Sequence, residues 1–125
     1  MAKVIHDDVL DAALGYIRDN ANEIVLLNAD PGTSYTLAHS DYALGRITVD
    51  SSDFTLGDGD VSGRKVTVSA QSSIGVEETG NCNHLAVVDT DNTKVLLVTT
   101  VTSQQVTSGN AAGTPAFDDE IADAT

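Results

Sequence analysis

Between Leu56 and Thr102 the chain alternates apolar and polar residues, and valine, threonine, serine and glycine dominate. Successive side chains of an extended strand point to opposite faces, so this period of two predicts strands with one buried face. β-Branched residues favour such strands, and the intervening glycines and aspartates favour tight turns. The segment therefore predicts a fold made mainly of short strands joined by turns.

The length of 125 residues is enough for a single domain, residues 1–125, that buries about two-thirds of its unfolded surface. Tryptophan is absent and there are only three tyrosines and two phenylalanines, so the core must be aliphatic. Cys82 is the only cysteine, which excludes an internal disulfide. We expect the core to hold without a metal, a cofactor or a covalent cross-link.

A formal net charge of -13 opposes binding to nucleic acid, because phosphate contacts need clustered lysine and arginine. The same charge opposes binding to an anionic membrane surface, and no segment approaches the ~20 apolar residues of a membrane span. The opening segment, Met1–Asp8, lacks the apolar core of a signal peptide. We therefore expect synthesis in the cytoplasm and neither nucleic acid nor membrane as a partner.

One helix is predicted, over Asp7–Asn20. Leu10, Leu14 and Ile17 recur at spacings of four and three residues, which places them on one helical face. Gly15 lowers helix stability by about 1 kcal/mol relative to alanine, so it predicts close packing against a strand. A helix of this length is marginal alone and must lie on the sheet.

The predicted fold class is mainly β. We expect a compact β-sandwich or small barrel with one N-terminal amphipathic helix packed on it. The last two strands form the clearest hairpin, because two β-branched runs flank a short turn at residues 90–93. The predicted strands are Glu23–Asn28, Arg46–Asp50, Arg64–Ala70, Ile74–Glu77, His84–Asp89 and Lys94–Thr102.

The other segments are predicted to be loops or arms. Thr33–Leu44 is a polar loop, Thr107–Gly113 is a flexible loop, and Pro115–Phe117 is a candidate last edge strand. Residues 1–6 form a candidate N-terminal arm. Residues 118–125 are acidic and are predicted to be a partly mobile C-terminal tail.

The best site-like motif runs from Asp58 to Gly63. Asp58, Asp60 and Ser62 place oxygen ligands at the first, third and fifth positions of an EF-hand calcium loop, and a glycine follows. The twelfth position is Ser69 instead of the bidentate glutamate, and no helices are predicted to flank the loop. A glycine-rich acidic turn between two strands explains the same residues, so these three remain weak calcium candidates and no metal is expected.

Other residues capable of chemistry are dispersed. The pair Arg64–Lys65 is interpreted as a strand start whose charges meet nearby aspartates, or alternatively as a contact with an acidic partner. His6, His39 and His84 lie in unrelated contexts, and Cys82 with His84 supplies only a fragment of a zinc site. The sequence contains no Gly-x-Ser-x-Gly nucleophile elbow. We therefore expect no catalytic residues and no enzyme activity.

Several segments together resemble a known group of proteins. They are Val4–Ile17, Ala21–Leu26, Asp58–Val68, His84–Thr90 and Lys94–Thr99. The chain resembles small acidic virion proteins of tailed bacteriophages and prophages, which are often encoded close to the major capsid gene. Several of those proteins act as capsid decoration, or cement, proteins, and the group offers no residue-level binding motif to carry over.

This resemblance implies a virion structural protein that binds the outside of a tailed-phage capsid and stabilises it. The implied partner is the major capsid protein, the implied state is a homo-oligomer on the shell, and the implied location is the capsid surface after synthesis in the host cytoplasm. Two alternatives remain open. One is another virion component, such as a head–tail junction, tail or fibre-associated subunit, and the other is a small calcium- or carbohydrate-binding module.

Overall fold

The structure, a computed structural model, describes residues 6–60 and 62–121. Within those residues the chain forms one α-helix, nine strands and two short helical turns. The helix and turns are α1 (Asp7–Asn20), a π-helical turn (Leu37–Asp41) and a 3-10 turn (Ser51–Asp53). The strands are β1 (Glu23–Leu27), β2 (Ala43–Thr48), β3 (Phe54–Asp58), β4 (Arg64–Val68), β5 (Gln71–Val76), β6 (Gly80–Asp89), β7 (Lys94–Val106), β8 (Ala111–Thr114) and β9 (Phe117–Ile121).

The strands form two antiparallel sheets. The larger sheet has the order β7-β6-β1-β2-β5-β8, and the smaller has the order β3-β4-β9. The larger sheet curls into a half-barrel, and the single helix packs on the curled structure. The predicted fold class, mainly β with one N-terminal helix packed on a sandwich-like or barrel-like core, is confirmed.

Irregular pairing between β6 and β7 contributes to the curl of the larger sheet, as do the register shifts between β1 and β2 and between β5 and β8. Val87 lies opposite Leu97 but Val88 lies opposite Val95, so Leu96 is an extra residue in β7. A second shift lies between Cys82 and His84, again with the extra residues in β7. Bulges of this kind bend a strand and increase its twist.

β1 lies in the interior of the larger sheet and is buried on both faces. Ile24 packs in one cluster with Leu14 of the helix, and Leu26 packs in a second cluster with residues of β2, β5 and β6. Val25 and Leu27 pack in a third cluster, with Ala38 of the π-helical turn. These four residues of β1 are at most 2% exposed. Double burial is why this strand shows a continuous apolar run instead of alternation.

The helix has the predicted bounds and the predicted packing. Leu10 and Leu14 are buried, and Leu14 joins the cluster formed with Phe54 and Val66 of the smaller sheet. A Cβ placed on Gly15 would lie 3.9 Å from the Leu56 side chain in β3. This is an ordinary van der Waals contact, so the helix packs on the sheet as predicted but no close approach to a strand requires Gly15.

Four expectations about loops and termini differ from the structure. β3 is absent from the predicted strands, and the π-helical turn interrupts the predicted loop 33–44. β8 lies where a flexible loop was predicted, because Ala111–Thr114 pairs with β5 despite having almost no β-branched residues. β9 occupies the start of the predicted mobile tail, because Phe117 and Ile121 are half-buried and the strand pairs with β4.

The candidate N-terminal arm is only partly observable. Residues 1–5 lie outside the described residues, as do residues 122–125 of the predicted tail. His6 caps the helix, because its Nδ1 atom accepts a hydrogen bond from the Asp8 backbone N–H at 3.1 Å. The residue at the end of the predicted arm is therefore part of the helix start.

The close approach of the β2 and β5 backbones at Gly45 supplies a test of packing. A Cβ placed on Gly45 in β2 would overlap the Gly75 carbonyl oxygen and lie 3.0 Å from the Val76 Cα in β5. Gly45→Ala is expected to destabilise the protein by about 1–3 kcal/mol, because the backbone of β5 cannot move aside cheaply. Gly57→Ala in β3 is the control, since nothing lies within 4 Å of its Cβ position. Urea denaturation of both variants measures the difference, and equal stabilities would contradict this packing.

The turn between β6 and β7 is organised by a buried carboxylate. Asp89 is 1% exposed, and its Oδ1 atom accepts hydrogen bonds from the backbone N–H groups of Asp91 and Asn92 at 3.0 and 3.2 Å. The Asn92 side-chain amide donates to Oδ2 at 2.7 Å. These hydrogen bonds, with that from the Asn92 side chain as the largest cause, lower the pKa of Asp89.

Asp89→Asn is expected to lower the free energy of unfolding by about 1–3 kcal/mol at neutral pH, because charge-assisted hydrogen bonds are lost. The Asp89 contribution is fully present above the ordinary aspartate pKa of about 3.9 and is lost as pH falls through the lowered pKa of the folded state. The gap between wild type and variant should therefore shrink on acidification. Urea denaturation between neutral pH and pH ~2 tests this, with the exposed Asp91→Asn as control. A gap that stayed constant with pH would contradict it.

Candidate functional site

The three weak calcium candidates lie at the β3–β4 connection. Asp58 ends β3, and Asp60 and Ser62 lie in the turn. The Asp58 carboxylate accepts a hydrogen bond from Arg64 at 2.7 Å, and the Asp60 carboxylate accepts one from Lys65 at 2.8 Å. Both carboxylates are therefore occupied by cations of the same hairpin. In the residues that the structure describes, no three His, Cys, Asp or Glu side chains group to hold a metal ion.

The basic pair at the start of β4 meets aspartates, as its simpler interpretation predicts. The Arg64 side chain also donates to Asp11 of α1 at 2.7 Å, and this hydrogen bond is the largest cause that raises the pKa of Arg64. Lys65 lies 3.5 Å from Asp118 of β9, and its hydrogen bond to Asp60 is the largest cause that raises its pKa. The pair links the hairpin to the helix and to β9.

The histidines and the cysteine are not brought into one site. His6 caps α1, His39 lies in the π-helical turn, and His84 lies in β6 with its Nδ1 atom 2.7 Å from the Asn83 side-chain oxygen. The Cys82 thiol donates to the His84 backbone carbonyl at 3.6 Å, and burial raises its pKa. Cys82 and His84 therefore interact through the backbone and do not present two ligands to one ion.

A polar cluster that the sequence did not reveal lies beneath the π-helical turn. The Arg46 guanidinium donates to His39 Nε2 at 2.8 Å and to the His39 carbonyl at 3.0 Å. Since arginine is always a donor, His39 Nε2 is assigned as the acceptor of this hydrogen bond. Glu23 Oε1 lies 3.3 Å from that nitrogen without a hydrogen bond, and Tyr35 stacks on the His39 ring with centroids 5.0 Å apart. The cluster fastens the turn to β1 and β2.

A groove lies between the two edge strands of the larger sheet. Because the sheet curls, the second half of β7 and the whole of β8 face a common space of about 620 Å³. The lining also includes the buried side chains Leu26, Val76, Cys82 and Leu85 and the half-buried Phe117. We call this space the β7–β8 groove.

The β7–β8 groove is uncharged in a strongly acidic protein. None of its 19 lining residues is Asp, Glu, Lys, Arg or His. The continuous segment Val95–Phe117, which supplies most of the lining, contains no charged residue or histidine. This run is the sequence signal that could have located the groove, since it is the longest uncharged segment of the chain.

The walls of the groove carry hydrogen-bonding groups without partners. β7 and β8 each pair with one strand only, so each has one side of its backbone unpaired by any strand in the described part of the chain. The Thr114 hydroxyl, in the β8 wall, is buried and has no hydrogen-bond partner. The lining therefore combines buried apolar side chains, uncharged polar side chains and two strand edges that no described strand pairs.

No protein-family model matches this chain, and no curated protein or solved structure matches it either. Among the described residues, no helix is both long and apolar enough to span a membrane.

Calcium is expected to leave the melting temperature unchanged at millimolar concentration, because Arg64 and Lys65 already occupy the two candidate carboxylates. Differential scanning calorimetry with and without calcium measures the effect. The double variant Asp58→Ala with Asp60→Ala is the control. A calcium-dependent rise in the wild type that disappears in the double variant would establish the calcium-binding alternative instead.

Proposed function

We propose that this protein is a virion structural protein that binds the outside of a tailed-phage capsid and stabilises the shell. The observation that carries the proposal is the uncharged β7–β8 groove, open between two unpaired strand edges in a chain of net charge -13. Unpaired strand edges are surfaces that bind other polypeptides. The sequence resemblance to small acidic virion proteins supports the same assignment.

The distribution of charge suits a protein that remains monomeric in solution and associates only on the capsid surface. The net charge of -13 opposes self-association in solution. The neutral groove lets one face approach another protein without bringing carboxylates together. The edge of the larger sheet is therefore the surface on which the proposed contact depends.

A capsid repeats the same binding position many times, so weak individual contacts are enough to stabilise it. Many copies bound at symmetric positions on one lattice stabilise it together, so each contact need not be strong. A protein that binds the assembled shell and not its dissociated subunits shifts the equilibrium toward the shell. This linkage is the proposed mechanism of stabilisation, with the major capsid protein as partner and a homo-oligomeric arrangement on its surface.

Purified protein is expected to co-sediment with capsids of the phage or prophage that encodes it, and cryo-electron microscopy of the pellet is expected to show density repeating over the lattice. Because the proposed contact is uncharged, raising the salt from 50 to 500 mM should change the bound fraction by less than about twofold. Density confined to one vertex or to the tail would assign the protein to another virion component. Absence of any association would overturn the proposal.

A further inference from the structure

We propose that the β7–β8 groove takes up an extended, uncharged segment of another protein chain as an additional strand; identifying that chain as the major capsid protein rests on the proposed function. The additional strand would lie between β7 and β8 and continue the curled sheet toward a closed barrel. The inference concerns the binding site and the chemistry of its occupant, which the proposed function leaves open.

The unpaired backbone edges of β7 and β8 favour a bound segment in extended conformation. A strand edge presents a row of N–H and C=O groups, and only another extended backbone pairs with such a row along its length. Here two such edges, in β7 and β8, border the same space. A small apolar molecule could fill the space but would leave both rows of backbone groups unpaired.

Because no charged residue lines the groove, we expect the bound segment to have uncharged side chains. Thr99–Thr102 and Ala111–Thr114 line opposite walls, and Leu26 and Leu85 are among the buried apolar lining residues. Side chains of a strand alternate between two faces, so every second residue of the occupant would point into apolar surroundings. A charged side chain there would lose its hydration without gaining a partner.

The size of the groove suits a short strand segment. A residue in a sheet occupies about 160 Å³, given a rise of ~3.3 Å, a strand spacing of ~4.8 Å and a sheet separation of ~10 Å. The space of about 620 Å³ therefore holds roughly four residues. The buried Thr114 hydroxyl without a partner is a further hydrogen-bonding group in the same wall.

A different chain is a better donor than a second copy. The longest uncharged segments of this protein, Val66–Val76 and Val95–Phe117, lie in β4, β5, β7 and β8. β4 and β5 are each paired on both sides, and the free edges of β7 and β8 border the groove of their own copy.

The test uses the purified chain and two defined peptides, so that it does not depend on capsid binding. The probe is acetyl-Thr-Val-Thr-Val-Thr-amide, and the matched control carries proline at its centre, which removes one backbone N–H and hinders pairing. Amide chemical shifts measured by nuclear magnetic resonance should change at residues 99–106 and 111–114, with affinity at least tenfold higher for the probe. No shift at millimolar probe, or equal binding of both peptides, would overturn the proposal.

Matched charge variants locate the site. Thr102→Glu introduces a charge at an exposed position in the groove wall and is expected to reduce peptide binding at least tenfold, whereas Ser72→Glu, exposed on β5 and outside the groove, should leave it unchanged. Ala111→Glu in the opposite wall repeats the test if Thr102→Glu does not fold, as judged by circular dichroism. Equal binding by the groove and control variants would overturn the assignment.

The same variants separate this inference from the proposed function. Loss of both peptide binding and capsid co-sedimentation in Thr102→Glu supports the groove with a capsid segment as its occupant. Loss of peptide binding with unchanged co-sedimentation overturns the capsid segment as occupant but leaves capsid decoration intact. A concentration-dependent dimer of the wild type that Thr102→Glu abolishes would assign the groove to a second copy and overturn the choice of another chain.

Discussion

The irregular pairing of β6 with β7 is the constraint on which the rest of the structure depends. Regular pairing would extend the larger sheet, but the extra residues in β7 bend that strand. The bend brings its second half toward the same space as β8, which lies at the other edge of the sheet. The groove is thus a consequence of backbone geometry, and its apolar lining follows from the side chains of β1, β5 and β6 that face inward.

Charged residues and uncharged segments occupy different parts of the molecule, and the uncharged segment lies at the two edges of the larger sheet. Four cations of the described residues are held by carboxylates: Arg18 by Asp19, Arg46 by Glu77, Arg64 by Asp11 and Asp58, and Lys65 by Asp60. The pairs of Arg46 and Arg64 fasten the helix, a hairpin and a turn to the sheets. The segment Val95–Phe117 carries no charge and forms both edges of the half-barrel. The charged surface and the uncharged edges are therefore separate parts of the molecule.

Sequence periodicity predicted the helix, β1, β4 and the β6–β7 hairpin because each carries a local signal. α1 has a helical apolar stripe, β1 has a continuous apolar run, and residues 90–93 form a short turn between β-branched runs. β8 was missed, and the candidate edge strand Pro115–Phe117 reached only the first residue of β9, because Ala111–Thr114 and the acidic residues 118–120 are poor in strand-forming residues. They are strands because β5 and β4 offer open edges with which to pair.

The sequence by itself determined the class of fold, the aliphatic core and the lack of charge between Val95 and Phe117, since each follows from residue type and order. Only the tertiary structure decided that Arg46, His39 and Glu23 meet, and that β7 and β8 border one groove. The physical reason is that both arrangements depend on contacts between residues distant in the chain. Register shifts and sheet curvature set those contacts, and neither leaves a local pattern in the sequence.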